Sequence, residues 1–181
     1  METDINVLQS PLGKNQIVAL AEDLVIKNHA INELIDLTFH HQEQVAFRAA
    51  WILENIYISY QEKFLTAAVY FLDQFAAQDN LSCRRHFGKI LALMTSRKAS
   101  STAKEIIENH KTDQIVETVF SWLIDDKVPV AIKSHCLNIL ANFNVKHPWI
   151  KEELLATMDF LIHKESIAFY AKVKQIRRQL K

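Results

Sequence analysis

Between Gln44 and Tyr60 the chain reads QVAFRAAWILENIYISY, and its apolar positions recur at steps of three and four. Val45, Ala49, Ile52, Leu53 and Ile56 make one helical stripe, and Phe47, Ala50, Trp51 and Ile58 make a second beside it. A helix that is apolar on two sides is expected between neighbours rather than on a surface. The same periodicity predicts helices over about 15–28, 30–41 and 61–78, and over about 80–96, 113–126, 128–144, 147–164 and 166–181. Residues 1–14 read as an irregular arm, broken by Ser10-Pro11 and Gly13.

Local signals mark the helix starts. Asn80 or Ser82 is a suitable cap for the segment SCRRHFGKILALM, and Ser166 for the last helix. Pro129 and Pro148 suit a first helical position, where the missing N–H costs nothing. Residues 97–111 read as an insert of loop and short helix, with Thr102 and Glu105 at capping-box spacing. The helices come in pairs whose second members start near 42, 80, 128 and 166, so the spacings are about 38, 48 and 38. The insert accounts for the longer step, and a two-helix period near 40 predicts an α-solenoid.

Composition sharpens this picture at one point. The 181 residues hold only 2 Gly and 3 Pro, where average usage gives about a dozen and about nine. Hairpins, phosphate-cradling loops and nucleophile elbows are therefore not expected, and no Gly-x-Ser-x-Gly or Gly-x-x-x-x-Gly-Lys is present. Cys83 and Cys136 lie in helical stretches and suggest no disulfide framework. The N-terminus lacks a signal-peptide pattern, and the apolar run Phe64 to Leu72 is too short to span a bilayer. A cytoplasmic protein without a membrane partner is expected.

QEQVAFRAAWILENI resembles the second helix of a HEAT or armadillo-type repeat: a polar turn, then Val, an Arg, a small-residue pair and a Leu. SCRRHFGKILALM and VAIKSHCLNILANF look like degenerate copies, aligned through Leu53, Leu91 and Leu140. The stretch from Val128 into the next helix is similar to small bacterial HEAT-like proteins of unassigned function. The resemblance covers residues 29–181 and implies an all-α fold: a right-handed superhelix of about four helix pairs plus an N-terminal helix, as a single domain over 1–181. It implies a structural role for Arg48, paired with an acid such as Glu43 or with a carbonyl of the adjacent turn. For Trp51 it implies inter-helix packing.

Net charge is zero, with 21 basic and 21 acidic residues, but its distribution is uneven. On the second-member segments basic residues far outnumber Glu43 and Glu54. In HEAT-like solenoids those helices line the concave side, so the resemblance implies a basic groove. Its residues are expected to be Arg84, Arg85, His86, Lys89, Lys133, Lys172, Lys174, Arg177 and Arg178; Arg97, Lys146 and Lys181 add to the same charge. The plainer alternative is that these are solvated faces matched by acids on the opposite helices.

A metal pair of Cys83 with His86 is unsupported, because the matching His135 and Cys136 are adjacent and diverge by about 100° on a helix. No metal site, catalytic residue or cofactor is assigned. The expected function is a non-enzymatic interaction module that binds a protein or acidic peptide on the basic face. The alternative is a nucleic-acid-binding protein related to HEAT-like DNA alkylation-repair glycosylases. Trp51 and Trp122 would then be the aromatics, although no Asp is placed convincingly near either on a second-member helix.

Overall fold

Two long helices, each buried along most of its length, organise the chain. A computed structural model describes residues 2–27 and 29–181, and the described residues contain helices and connections with no strand. Contacts divide the chain into two compact units, Met1–Ile90 and Leu91–Lys181, where the sequence reading treats 1–181 as one domain.

The first unit is built on α4 (Glu43–Ser59), which packs against α1 (Glu2–Gln9), α2 (Lys14–Ile26), α3 (Ile31–Leu37) and α5 (Gln61–Leu65). Its first apolar stripe explains this arrangement, with Val45, Ala49, Ile52, Leu53 and Ile56 all buried. Of the second, Ala50 is buried and Phe47 and Trp51 half-buried, but Ile58 near the end of the helix is exposed, and Ala46 and Tyr57 are buried instead. Beyond it, α6 (Ala68–Phe75) and the start of α7 (Leu81–Met94) bring Phe71, Phe75 and Phe87 into a buried aromatic cluster with Phe64. The Phe71 and Phe87 ring centroids are 4.8 Å apart. Asn80 caps α7, its Oδ1 accepting from the Ser82 and Cys83 N–H groups at 2.9 and 3.2 Å.

The second unit repeats the plan around α10 (Val130–Phe143), which packs against α9 (Asp113–Ile124), α11 (Ile150–Leu161) and α12 (Ile167–Gln179). Ser166 caps α12 by accepting from the Phe169 N–H. The second-member helices thus begin at 43, 81, 130 and 167, close to the expected starts.

Several details differ from expectation. Residues 2–9 of the expected irregular arm form α1, because a tertiary contact holds them: Leu8 is buried, and Arg48 Nη1 donates to the Leu8 carbonyl at 2.5 Å. Met1 of that arm lies outside the described residues, as does Asn28, the expected end of α2. The expected helix over 61–78 breaks at Thr66 and Ala67. Thr66 Oγ1 bonds back to the Lys63 carbonyl, and the Ala67 N–H closes a short turn onto Phe64 O.

In the 97–111 insert the cap of α8 (Ser101–Asn109) is Ser100, accepting from the Ala103 N–H, rather than Thr102. Pro129 is an N-cap with extended ψ rather than a first helical residue, and α11 starts two residues after Pro148.

The Arg48 contact carries a prediction. Its guanidinium is half-buried and ties α4 to the last turn of α1, so Arg48→Ala should cost about 1–3 kcal/mol. Backbone amides of α1 should lose protection from hydrogen exchange first. Unchanged exchange in α1 would show that the bond does not hold the helix.

Candidate functional site

In the first unit Arg84, Arg85, His86 and Lys89 all lie on α7, but they do different things. Arg84 is half-buried, and its Nε donates to the Gln78 carbonyl at 2.8 Å. It belongs to a network that closes the approach to α7. Buried Gln78 donates to the Thr38 carbonyl at 3.2 Å and accepts from the Asn80 N–H at 3.0 Å. Arg85 is exposed.

His86, expected on a solvent-facing basic surface, is instead only 5% exposed. Its Nδ1 lies 2.6 Å from Oε2 of Glu54, and Lys89 Nζ lies 2.5 Å from the other carboxylate oxygen. Phe47 and Trp51 of α4 wall the imidazole, with ring centroids 5.4 and 6.5 Å away. Burial pushes the Glu54 carboxyl up, but hydrogen bonds and charge from His86 and Lys89 outweigh it and hold the group below the ordinary carboxylate range. His86 Nε2 has no hydrogen-bond partner. Glu54, counted with Glu43 among the acids of the second-member segments, is thus committed to His86 and Lys89 inside the unit.

In the second unit Lys133 also departs from expectation. It is 1% exposed and ion-paired with Glu165, a carboxylate in the turn before α12. An unpaired ammonium cannot be kept there, which is why Lys133 is part of the scaffold. Arg177 pairs with Asp159 of α11. Lys172 is half-buried and donates to Gln175 Oε1 at 3.0 Å, and burial pulls its ammonium below the usual lysine range.

Lys174 and Arg178 are exposed and one turn apart. With Ile167 and Tyr170 they form an outward stripe on α12, opposite buried Phe169, Val173 and Ile176. Ile167 and Tyr170 are 89% and 53% exposed.

Groups with reactive chemistry are similarly engaged. Burial, with the charges of Asp79 and Glu43, pushes the Cys83 thiol up to about 12, and its Sγ donates to the Thr38 carbonyl at 3.6 Å. A protonated thiol is a poor metal ligand or nucleophile. Among the described residues no group of three His, Cys, Asp or Glu side chains is placed to hold a metal ion. Trp122 is buried and offers no open face for stacking on a base. Half-buried Trp51 packs against Phe47 and His86, which also touch one another.

Compared with known families, residues 5–180 match the model of the HEAT repeat domain. No curated protein and no solved structure matches the chain.

Proposed function

The chain belongs to the HEAT repeat domain family, and from that premise we propose that it acts by recognition rather than chemistry. It is an interaction module, and its partner is a protein carrying an acidic segment. The outward stripe of α12 carries this reading. Ile167 and Tyr170 offer an apolar end, and Lys174 and Arg178 a basic end, on one face of one helix. Isolated exposed apolar residues are ordinary, but here two of them continue directly into a pair of unspent cations. An acidic partner with one apolar anchor fits that order. In the first unit Arg85 is the corresponding exposed cation on α7.

Two further observations support the reading. Among the described residues, buried Glu54 pairs with His86 and buried Lys133 with the partly exposed Glu165, which commits these charges to the scaffold. Both cysteines are buried and outside any disulfide, in keeping with a reducing compartment such as the cytoplasm. No helix among the described residues is long and apolar enough to cross a membrane.

The test is charge reversal. Lys174→Glu with Arg178→Glu, and separately Arg85→Glu, should leave unfolding free energy within about 0.5 kcal/mol, as exposed substitutions do. The α12 double variant should reduce capture of the native partner by about tenfold or more. Undiminished capture by both variants refutes the basic-surface reading. Binding of duplex DNA at low salt that falls steeply as salt rises would replace the protein partner with a nucleic acid.

A further inference from the structure

A concavity of the second unit takes in Arg97 and Lys146, which add to the expected basic charge, but none of the nine residues expected to form the groove. A cavity of about 440 Å³ opens between the C-terminal ends of α7, α10 and α12 and the flank of α8. That is within the usual range for ligand pockets, roughly 300–1,000 Å³.

Its floor is fixed by amides. Asn142 Nδ2 donates to the Ala92 carbonyl at 3.3 Å and to Thr95 Oγ1 at 3.2 Å, while its Oδ1 accepts from Gln179 Nε2 at 2.9 Å. Neither amide can rotate without breaking these bonds, and Gln179 keeps its Oε1 as an acceptor for an incoming N–H.

The charges around the cavity divide by task. Lys146 donates to the carbonyls of Ile107, Glu108 and His110 at 2.8, 2.8 and 2.7 Å. All three of its N–H bonds are therefore spent on the C-terminal end of α8, where they also offset that helix's negative dipole end. Lys104 gives one bond to the Arg97 carbonyl at 2.9 Å and so pins that segment to α8. Arg97 and Lys104 are both exposed lining residues at the rim, and the one lining acid, Glu108, stands one turn after Lys104 on α8. Val145, 87% exposed, adds an aliphatic side chain to the same rim.

From this combination we infer that the cavity is an anchoring pocket for a protein segment that places an Asp or Glu beside an aliphatic residue. The carboxylate meets the Arg97 guanidinium, whose fork suits two parallel bonds, and the Lys104 ammonium. The aliphatic neighbour rests on Val145, and a backbone N–H of the segment donates to Gln179 Oε1. Nucleic acid fits less well. The lining aromatic, Phe143, is buried and offers no stacking face, and two rim cations with an acid one turn from Lys104 make a weak phosphate track. This inference rests on the interaction-module reading and deepens it. Arg178, where the α12 stripe ends, and the lining residue Gln179 are adjacent but diverge by about 100° around the helix, so the pocket is a contact surface distinct from the stripe.

The experiment pans a displayed library of random peptides on the full chain and measures each retained peptide against two variants. Expected are peptides with Asp or Glu next to Leu, Ile or Val. Their affinity should fall about tenfold or more in Arg97→Glu with Lys104→Glu, and by a smaller factor in Gln179→Ala. Both cations are exposed, so circular dichroism and the melting temperature should match wild type and exclude a folding defect. Retained peptides that are not acidic, or that ignore the Arg97 and Lys104 changes, overturn the pocket, as does a library that yields no retained peptide. Binding of free N-acetylglutamate as tight as that of the peptides identifies a small-acid site and overturns the peptide assignment. If Lys174→Glu with Arg178→Glu abolishes partner capture while the pocket variant captures normally, the pocket fails and the module reading stands. If neither variant affects capture, both fail.

Discussion

Truncation of Glu165 to alanine is expected to lower the unfolding free energy by about 3–5 kcal/mol, the range for stranding a buried charge. Lys133, its partner, begins the second turn of α10 with 1% of its surface exposed. The Glu165 side chain is itself 17% exposed. The pair ties the start of α10 to the turn that leads into α12, and truncation leaves an ammonium with neither water nor counter-charge. Replacing both partners tells a different story. Lys133→Met with Glu165→Gln removes the desolvation cost together with the attraction, so the double variant should be near wild type or more stable. Urea denaturation of Lys133→Met, Glu165→Gln and the double variant closes the cycle. A Glu165→Ala loss under about 1 kcal/mol, the level of a solvent-exposed pair, would mean that water reaches Lys133 in solution and that it belongs to the surface after all.

Lys133 also shows what a sequence can and cannot reveal here. The second-helix starts were legible because they are local: Asn80 and Ser166 cap their own helices within three residues. The two apolar stripes on α4 were legible for the same reason, and they correctly imply a helix enclosed by neighbours. By contrast, α1 depends on Arg48 reaching a carbonyl 40 residues away, and no pattern within residues 1–14 encodes that contact. The break at Thr66 depends on one hydroxyl choosing the carbonyl of the preceding turn over solvent.

For the candidate site the sign of the charge was legible, but its use was not. His86 and Lys133 meet carboxylates 32 residues away, and Lys89 meets one 35 residues away, and these partners exist only once the helices pack. One signal was available. His86 stands three residues from Cys83 and four from Ile90, within a buried stripe. Lys133 stands three and four residues before Cys136 and Leu137. A charge on an apolar stripe predicts a buried pair rather than a groove. The pocket cations were harder to find. Arg97 lies in the connection after α7, Lys104 on the short helix of the insert and Lys146 beyond the end of α10. Only packing within the second unit brings them to one cavity.

Glu54→Gln tests the other buried node, at an expected cost of about 3 kcal/mol at neutral pH. Glutamine keeps the shape and some hydrogen bonding but removes the charge that His86 and Lys89 share. The Lys89 side chain is 41% exposed and recovers water, so its part of the loss is small; most of the cost falls at His86, whose side chain is 7% exposed. The pH dependence separates charge from packing. Because the folded carboxyl is held below the ordinary value of 4.5, its contribution is fully present above that pH. It is lost as pH falls through the lowered folded value, where the folded state also takes up the proton. Wild type and Glu54→Gln should therefore converge in urea unfolding carried out below pH 4.5, and a gap that stays constant through that range would assign the cost to packing alone. At neutral pH, under conditions where the variant is folded, capture of the partner should equal wild type, since the Glu54 node faces inward and the α12 stripe and pocket belong to the other unit. Loss of capture by a folded Glu54→Gln protein would instead make the α4–α7 node part of the recognition surface.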